Sequence, residues 1–308
     1  MKRLRKLIPV VVSVGLLVII GGYAPWPKVG RILADFDAGT ILILLGLSLS
    51  YYALKVVRFY YMLKAIDIHQ PFWAVALSYM SAQPVSLLPA GEIYRSHTLQ
   101  RYTGVPIQRS LAQFTMQGIL EGSAMAVVGI ISALALGKLR LPALLLTLLV
   151  GGIVIAVRQG SIARLARLLN AIPFVTVNPF HLLQFSKRNQ VMLSRQRFPL
   201  LFALSLGAEA TGIAIAYVSV VGLGGHINVF QAALTYIVPV VVGFASLLPG
   251  GLGASEQSAI GVLLLAHTGV ALAVAATLIM RVTIVGMGLA YGAIAIALTT
   301  RTLDRPKP

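Results

Sequence analysis

The chain of 308 residues is 58% hydrophobic and only 11% charged, and its 25 Lys and Arg residues against eight Asp and Glu give a formal net charge of +17. Soluble domains carry about 25% charged residues, so this composition excludes an ordinary soluble protein and a disordered chain, and it indicates a polytopic membrane protein. Cys is absent, which excludes a disulfide framework and a thiolate site. The basic excess is typical of loops that face an anionic leaflet, so we do not expect a nucleic-acid partner.

Apolar runs of spanning length predict six full transmembrane helices. In chain order they cover residues 7–24, 40–63, 110–136, 141–157, 199–223 and 271–298. A signal peptide is the alternative for the first run, which follows a basic N-terminus. Pro25 directly after Ala24 disfavours cleavage, so we interpret this run as an uncleaved span.

The distribution of Lys and Arg predicts an inner-membrane protein with both termini in the cytoplasm. With that orientation, eighteen basic residues lie in the cytoplasmic segments and four in the loops of the other side. Cytoplasmic loops carry this kind of excess. Residues 158–198 then form a basic cytoplasmic connector within a single membrane domain that covers residues 1–308.

Two further apolar stretches, 72–88 and 229–248, end in Pro- and Gly-rich sequence. With both termini inside, the chain at 72–88 and at 229–266 must return to the side from which it starts. We therefore predict two re-entrant helical hairpins, and the alternative is a pair of Pro-kinked helices that cross the membrane. Irregular backbone at membrane depth requires surrounding protein or a polar cavity.

The two predicted hairpins are similar in sequence. Ser86–Gly91 (SLLPAG) corresponds to Ser246–Gly251 (SLLPGG). Each hairpin lies between two spans, and the charge distribution gives the two sets opposite orientations. This order predicts an all-α inverted repeat, with residues 40–136 as the first repeat and 199–298 as the second. Such repeats are typical of transporters, which bind their substrate between the repeats.

Acidic residues at membrane depth are the first candidates for a site. Glu92 and Glu256 follow the two Pro/Gly turns, whereas Glu121 and Glu209 lie inside apolar spans. A buried ionised carboxylate is costly unless it is paired or protonated. The cationic partners that we expect are Lys55, Arg58, Arg95 and Arg281. These charges form either a midplane cavity that handles a polar group or protons, or structural ion pairs that hold the helices together.

The turns themselves are candidates for binding an anion. The residues concerned are Pro89, Gly91, Pro249, Gly250, Gly251 and Gly253. Pro ends a helix, and Gly permits positive φ and close backbone approach. A helix that begins after such a turn presents N–H groups that attract phosphate. The alternative is a tight turn needed only for packing.

Metal and nucleotide sites are not expected. The five His residues show no metal-ligand spacing, and the chain contains no ATP-binding loop and no dinucleotide fingerprint. We therefore expect no cofactor and no transport driven by ATP within this chain.

The candidate residues resemble the motifs of a known family. Pro89–Arg95 (PAGEIYR) resembles the P-x-G-E-x-x-R element of the flippase-like membrane domain family, which includes the membrane portion of lysylphosphatidylglycerol synthetases. Pro249–Glu256 (PGGLGASE) resembles its P-G-G-x-G-x-x-E element, and Arg281 stands where the family has an Arg in the final helix. The chain departs from the family's E-R-x-x-D element, since Gln117–Glu121 keeps only the last acidic position.

The resemblance implies translocation of a lipid, either an anionic or aminoacylated phospholipid or a polyprenyl phosphate-linked lipid. The substrate-binding residues expected are Pro89, Gly91, Glu92, Arg95, Glu121, Pro249, Gly250, Gly251, Gly253, Glu256 and Arg281, with Lys55, Arg58 and Glu209 as charge partners. We expect no enzyme activity, because the soluble aminoacyl-transferase domain of the full synthetases does not follow in this sequence. The alternatives are a lipid-modifying membrane enzyme and a membrane partner of a separate synthetase or transferase. The protein partners that we consider are a second copy of this chain, in a homo-oligomer, and the separate synthetase or transferase.

Overall fold

The computed structural model describes residues 2–86, 91–110, 112–136, 191–246 and 248–303, and every regular element in these ranges is helical. The first half contains α1 (Lys2–Tyr23), α2 (Trp26–Ala34), α3 (Ala38–Ala65), α4 (Phe72–Ser81), α5 (Gln83–Ser86), α6 (Gly91–Thr103), α7 (Ile107–Ser110) and α8 (Ala112–Leu136). The second half contains α9 (Phe198–Val221), α10 (Val229–Ala245), a 3₁₀ turn (Pro249–Gly251), α11 (Ala254–Leu265), α12 (Val270–Arg281), a π-helical turn (Val282–Gly286) and α13 (Met287–Leu303).

Four helical segments of the described chain are long and apolar enough to cross a membrane: Ala38–Ala65, Met116–Leu136, Phe198–Val221 and Val270–Leu298. They confirm helices of spanning length at four of the six predicted positions. The run predicted at 7–24 corresponds to α1, and the chain bends by 85° between α1 and α2. The span predicted at 141–157 and the connector up to residue 190 lie outside the described residues.

Local sequence signals determine where the helices begin. The Asp37 carboxylate accepts a hydrogen bond from the Thr40 N–H at 3.0 Å and caps α3. At the start of α10, the Asn228 side chain accepts from the Gln231 N–H at 2.9 Å, and the Gln231 side chain accepts from the Asn228 N–H at 2.8 Å. Both arrangements pair N–H groups that the first turn of a helix leaves without partners.

Each of the two predicted hairpins contains a pair of helices that pack against each other. Helix α4 has 10 residues and contacts α6, which has 13, and α10 has 17 residues and contacts α11, which has 12. All four are shorter than the roughly 20 residues that span a bilayer. Short helices in contact are what a re-entrant hairpin requires, and re-entrance itself stays a prediction. Pro89 and the other residues of 87–90 lie outside the described chain.

The turn of the second hairpin depends on glycine, as predicted. Gly250, Gly251 and Gly253 have φ values of 59°, 66° and 85°, in the left-handed region that favours glycine. A Cβ atom on Gly253 would lie 2.5 Å from the Cβ of Leu16, so the turn also packs tightly against α1. The packing role that we gave as an alternative is therefore present at this turn.

Contacts between the helices follow a regular pattern. Helices α3 and α9 make the most extensive helix–helix contact in the described chain, α4 packs against α13, and α10 packs against α8. Helices α1 and α2 pack against α11 and α12. The α9–α10 contact is close because Gly212 leaves room for the ring of Tyr236, which is buried.

Candidate functional site

Polar side chains from α3, α8 and α9 meet in the interior. We call Lys55, Arg58, Gln117, Glu121 and Glu209 the central charge cluster. Lys55 and Arg58 are three residues apart on α3, and Gln117 and Glu121 are four residues apart on α8, so each pair shares one helix face. The cluster therefore arises where α3 packs against α8 and α9.

Glu121 is the central acceptor of the cluster. Its Oε1 atom lies 3.2 Å from the Lys55 ammonium and accepts a hydrogen bond from the Arg58 guanidinium. A second guanidinium nitrogen of Arg58 donates to the Ser205 hydroxyl on α9 at 3.0 Å. The Arg58 side chain is only 1% exposed, so these bonds compensate for the removal of its charge from water.

Arg95 connects the first hairpin to the cluster. It is buried in α6 and donates to the side-chain oxygen of Gln117 at 2.8 Å, and the amide of Gln117 lies 3.4 Å from Glu121. Its guanidinium also lies over the ring of Tyr79, 4.1 Å from the centroid. The neutral amide of Gln117 thus joins a cation and a carboxylate at the position where the resembled family has Glu.

The carboxylate of Glu209 is buried without a hydrogen bond from the described residues. Its side chain lies inside the α9 interface with 0% exposure, and neither carboxylate oxygen has a hydrogen-bond partner among the described residues. The Tyr236 hydroxyl pairs with the Tyr51 hydroxyl at 3.2 Å. Lys55 interacts electrostatically with both Glu209 and Glu121. Two carboxylates therefore act on this cation, one from each half of the chain, and only Glu121 forms an ion pair with it.

The second hairpin carries a separate ion pair, which we call the hairpin ion pair. The Glu256 Oε1 atom accepts from the Arg281 Nε at 2.5 Å, and its Oε2 accepts from the Gly253 N–H at 2.7 Å. A further nitrogen of Arg281 donates to the Gly250 carbonyl at 3.3 Å. The N-terminal N–H at Gly253, predicted to attract an anion, is thus already paired with the carboxylate of Glu256.

A π-helical turn follows Arg281 directly. Two side chains of α3 bind its carbonyl groups: the Ser48 hydroxyl donates to Thr283 at 2.8 Å, and the Tyr52 hydroxyl donates to Ile284 at 2.7 Å. Turns of this type frequently occur at functional sites. Sequence reasoning missed these residues, and their only signal is a pair of hydroxyl groups one helical turn apart in an apolar span.

The described contacts arrange the predicted charges in two sets. Arg95 and Glu121 belong with the central charge cluster, whereas Glu256 and Arg281 form the hairpin ion pair. Among the described residues, no hydrogen bond or ion pair joins Glu256 or Arg281 to Lys55, Arg58 or Glu121, so a single midplane cavity stays a prediction. Gly91 begins α6, and the Glu92 side chain lies outside what the structure describes. Ser205, Tyr51 and Tyr236 join the site without having been predicted.

Comparison with known proteins identifies a family. The family described as lysylphosphatidylglycerol synthase TM region matches residues 7–292, a range that includes both charge sets. The resemblance inferred from the two Pro/Gly motifs is thereby confirmed. No curated protein matches the chain. Within the described ranges, no group of three or more His, Asp or Glu side chains is arranged to hold a metal ion.

Proposed function

Because the chain belongs to the lysylphosphatidylglycerol synthase TM region family, we propose that this integral membrane protein is a lipid translocase of the cytoplasmic membrane. The substrate is an anionic or aminoacylated phospholipid, or a polyprenyl phosphate-linked lipid. Its head group moves through the charged interior while its chains stay in the bilayer. Both termini are cytoplasmic, and the lipid undergoes no covalent change.

The helix contacts support an inverted repeat as the framework. In the first repeat α3 is followed by the α4–α6 hairpin and α8, and in the second α9 is followed by the α10–α11 hairpin and α12. The contact of α4 with the helix α13 that continues α12 corresponds to the contact of α10 with α8, and α3 packs against its counterpart α9. Two re-entrant hairpins related by such a repeat would bring both Pro/Gly turns to membrane depth.

The hairpin ion pair is the observation that carries the proposal. The Glu256 carboxylate accepts from two hydrogen-bond donors that could bind an anion, the Arg281 guanidinium and the Gly253 N–H. A lipid phosphate has the charge and the oxygen atoms to bind both donors in its place. Exchange of the carboxylate for a phosphate would leave Arg281 paired at every stage, which limits the cost of a charge inside the membrane.

The central charge cluster provides a link between the two repeats. Lys55, Arg58 and Glu121 belong to the first repeat, and Glu209 belongs to the second. Movement of α9 along α3 would change the distance between Lys55 and Glu209. Lys55 could then exchange one carboxylate, Glu121, for the other, Glu209. We propose that this exchange of partners accompanies the motion that carries the head group across.

The test is a translocation assay in proteoliposomes. The vesicles contain a trace of fluorescent phosphatidylglycerol. A membrane-impermeant reductant destroys the fluorescence of the outer leaflet, and any further loss of fluorescence measures lipid that has moved from the inner leaflet. We expect Glu256→Gln and Arg281→Ala to slow it at least about tenfold, the effect of losing a charged hydrogen bond. Arg31→Gln serves as the matched control, since Arg31 is exposed on α2.

The outcomes separate the candidate functions. Translocation by both variants at the wild-type rate would contradict the proposal. Mass spectrometry of lipids extracted after the assay would reveal any covalent product, and such a product would favour the lipid-modifying enzyme. If wild-type vesicles translocate no lipid until a synthetase or transferase is added, the partner function is favoured.

A further inference from the structure

A cleft of about 320 Å³ opens between the end of α3 and the beginning of α9. Its polar lining comes from Lys64, His69, Gln196 and Arg197, and Tyr61 and Leu201 supply apolar surface. We call it the basic cleft. Because it lies where two helices of spanning length end, it opens at a membrane face. The charge distribution predicts that this face is cytoplasmic.

The cleft combines the groups that a phosphate requires. Lys64 and Arg197 supply cationic side chains, His69 and Gln196 add hydrogen-bonding groups, and no acidic residue lines the cleft among the described residues. One guanidinium nitrogen of Arg197 donates to the Ala65 carbonyl and so holds the side chain at the cleft. The remaining guanidinium donors can bind an anion. Ligand sites of this kind commonly have volumes from about 300 Å³ upwards.

An apolar layer separates the basic cleft from the central charge cluster. Leu201 forms part of the cleft wall and packs with the buried side chains of Met62, Met116 and Leu120. On α9 the next turn carries Ser205, whose hydroxyl donates to the Leu201 carbonyl and accepts from Arg58. The cleft is thus a site of its own, one helical turn from the cluster, and its charged residues can be changed without altering the ion pairs of the interior.

We propose that the basic cleft binds a phosphate group presented at the membrane face, as in the head group of an anionic phospholipid. The aromatic side of Tyr61 and the exposed side chain of Leu200 give the lipid chains an apolar path out of the cleft. The site goes beyond the proposed function, since it requires no translocation.

The test is native mass spectrometry of the full chain in mild detergent, titrated with phosphatidylglycerol. The Lys64→Gln/His69→Gln double variant is the main probe, because neither side chain makes a described hydrogen bond that the fold would lose. We expect it to bind the lipid at least about tenfold more weakly than the wild type. Arg197→Gln is expected to act in the same direction. Arg195→Gln is the matched control, since Arg195 is exposed nearby but does not line the cleft.

Two further ligands identify what the cleft recognises. Diacylglycerol has the same chains without the phosphate, and we expect its weak binding to be equal in the wild type and the variants. Inorganic phosphate distinguishes the sources: competition at millimolar concentration indicates a soluble phosphate, and absence of competition indicates the lipid head group. Equal phosphatidylglycerol affinity in the wild type and both cleft variants would overturn the proposal. Normal lipid translocation in those variants would leave the proposed function intact, so the two can fail separately.

Discussion

Neutralising Glu121 is expected to destabilise the fold strongly. In the wild type the Lys55 ammonium lies 3.2 Å from the Glu121 carboxylate, which also accepts from the Arg58 guanidinium. In the Glu121→Gln variant both cations lose this charged acceptor. The side chain of Arg58 is 1% exposed and that of Lys55 is 12% exposed, so water cannot replace the lost carboxylate as an acceptor. Removing one partner of a buried ion pair costs about 3–5 kcal/mol because an uncompensated charge remains.

We expect a loss near the lower end of that range, about 3 kcal/mol, since Glu121 is itself 19% exposed and Glu209 offers Lys55 a second carboxylate. This loss lowers the folding equilibrium constant by more than about a hundredfold. Equilibrium unfolding of the purified protein in mixed detergent micelles measures it. Glu209→Gln is the matched control, because its carboxylate is buried but forms no described hydrogen bond, and we expect its cost to be less than half as large.

A double variant tests the cause. Lys55→Met combined with Glu121→Gln removes one of the two orphaned cations, so it should be more stable than Glu121→Gln alone. The reasoning is refuted if Glu121→Gln lies within about 1 kcal/mol of the wild type. Strict additivity of the two single changes would equally show that the pair is not coupled.

Two further variants test the packing around the site. Gly212→Ala would place a Cβ atom 2.4 Å from the ring of Tyr236, so we expect a loss of about 1–3 kcal/mol in the same unfolding assay. Gly207→Ala is its control, since the nearest side-chain atom there is 3.4 Å away, and equal losses would contradict the steric argument. Ser255→Ala removes the hydrogen bond to the Pro239 carbonyl at 3.0 Å and should cost about 1 kcal/mol. An unchanged unfolding free energy would show that this bond contributes nothing.

Most of the helical framework follows from local sequence. The bilayer requires long apolar runs, so hydropathy places Ala38–Ala65 and Phe198–Val221 within a few residues of their observed bounds. The bend at the second Pro/Gly turn is equally local, since Gly250, Gly251 and Gly253 adopt positive φ within the six residues before Glu256. The motif likewise indicates Glu256 from the sequence, and Arg281 is indicated as a cation inside the last predicted span.

The partners of the charges depended on the tertiary structure. The sequence indicated four carboxylates and four cations, but it did not show that Glu121 would take both Lys55 and Arg58, which lies 63 residues away along the chain. Nor did it indicate that Gln117 would join Arg95 to Glu121, or that Glu209 would be buried without a hydrogen bond. Side-chain spacing along one helix sets only which residues share a face. The contact of that face with a particular neighbour is decided when α3, α8 and α9 pack together.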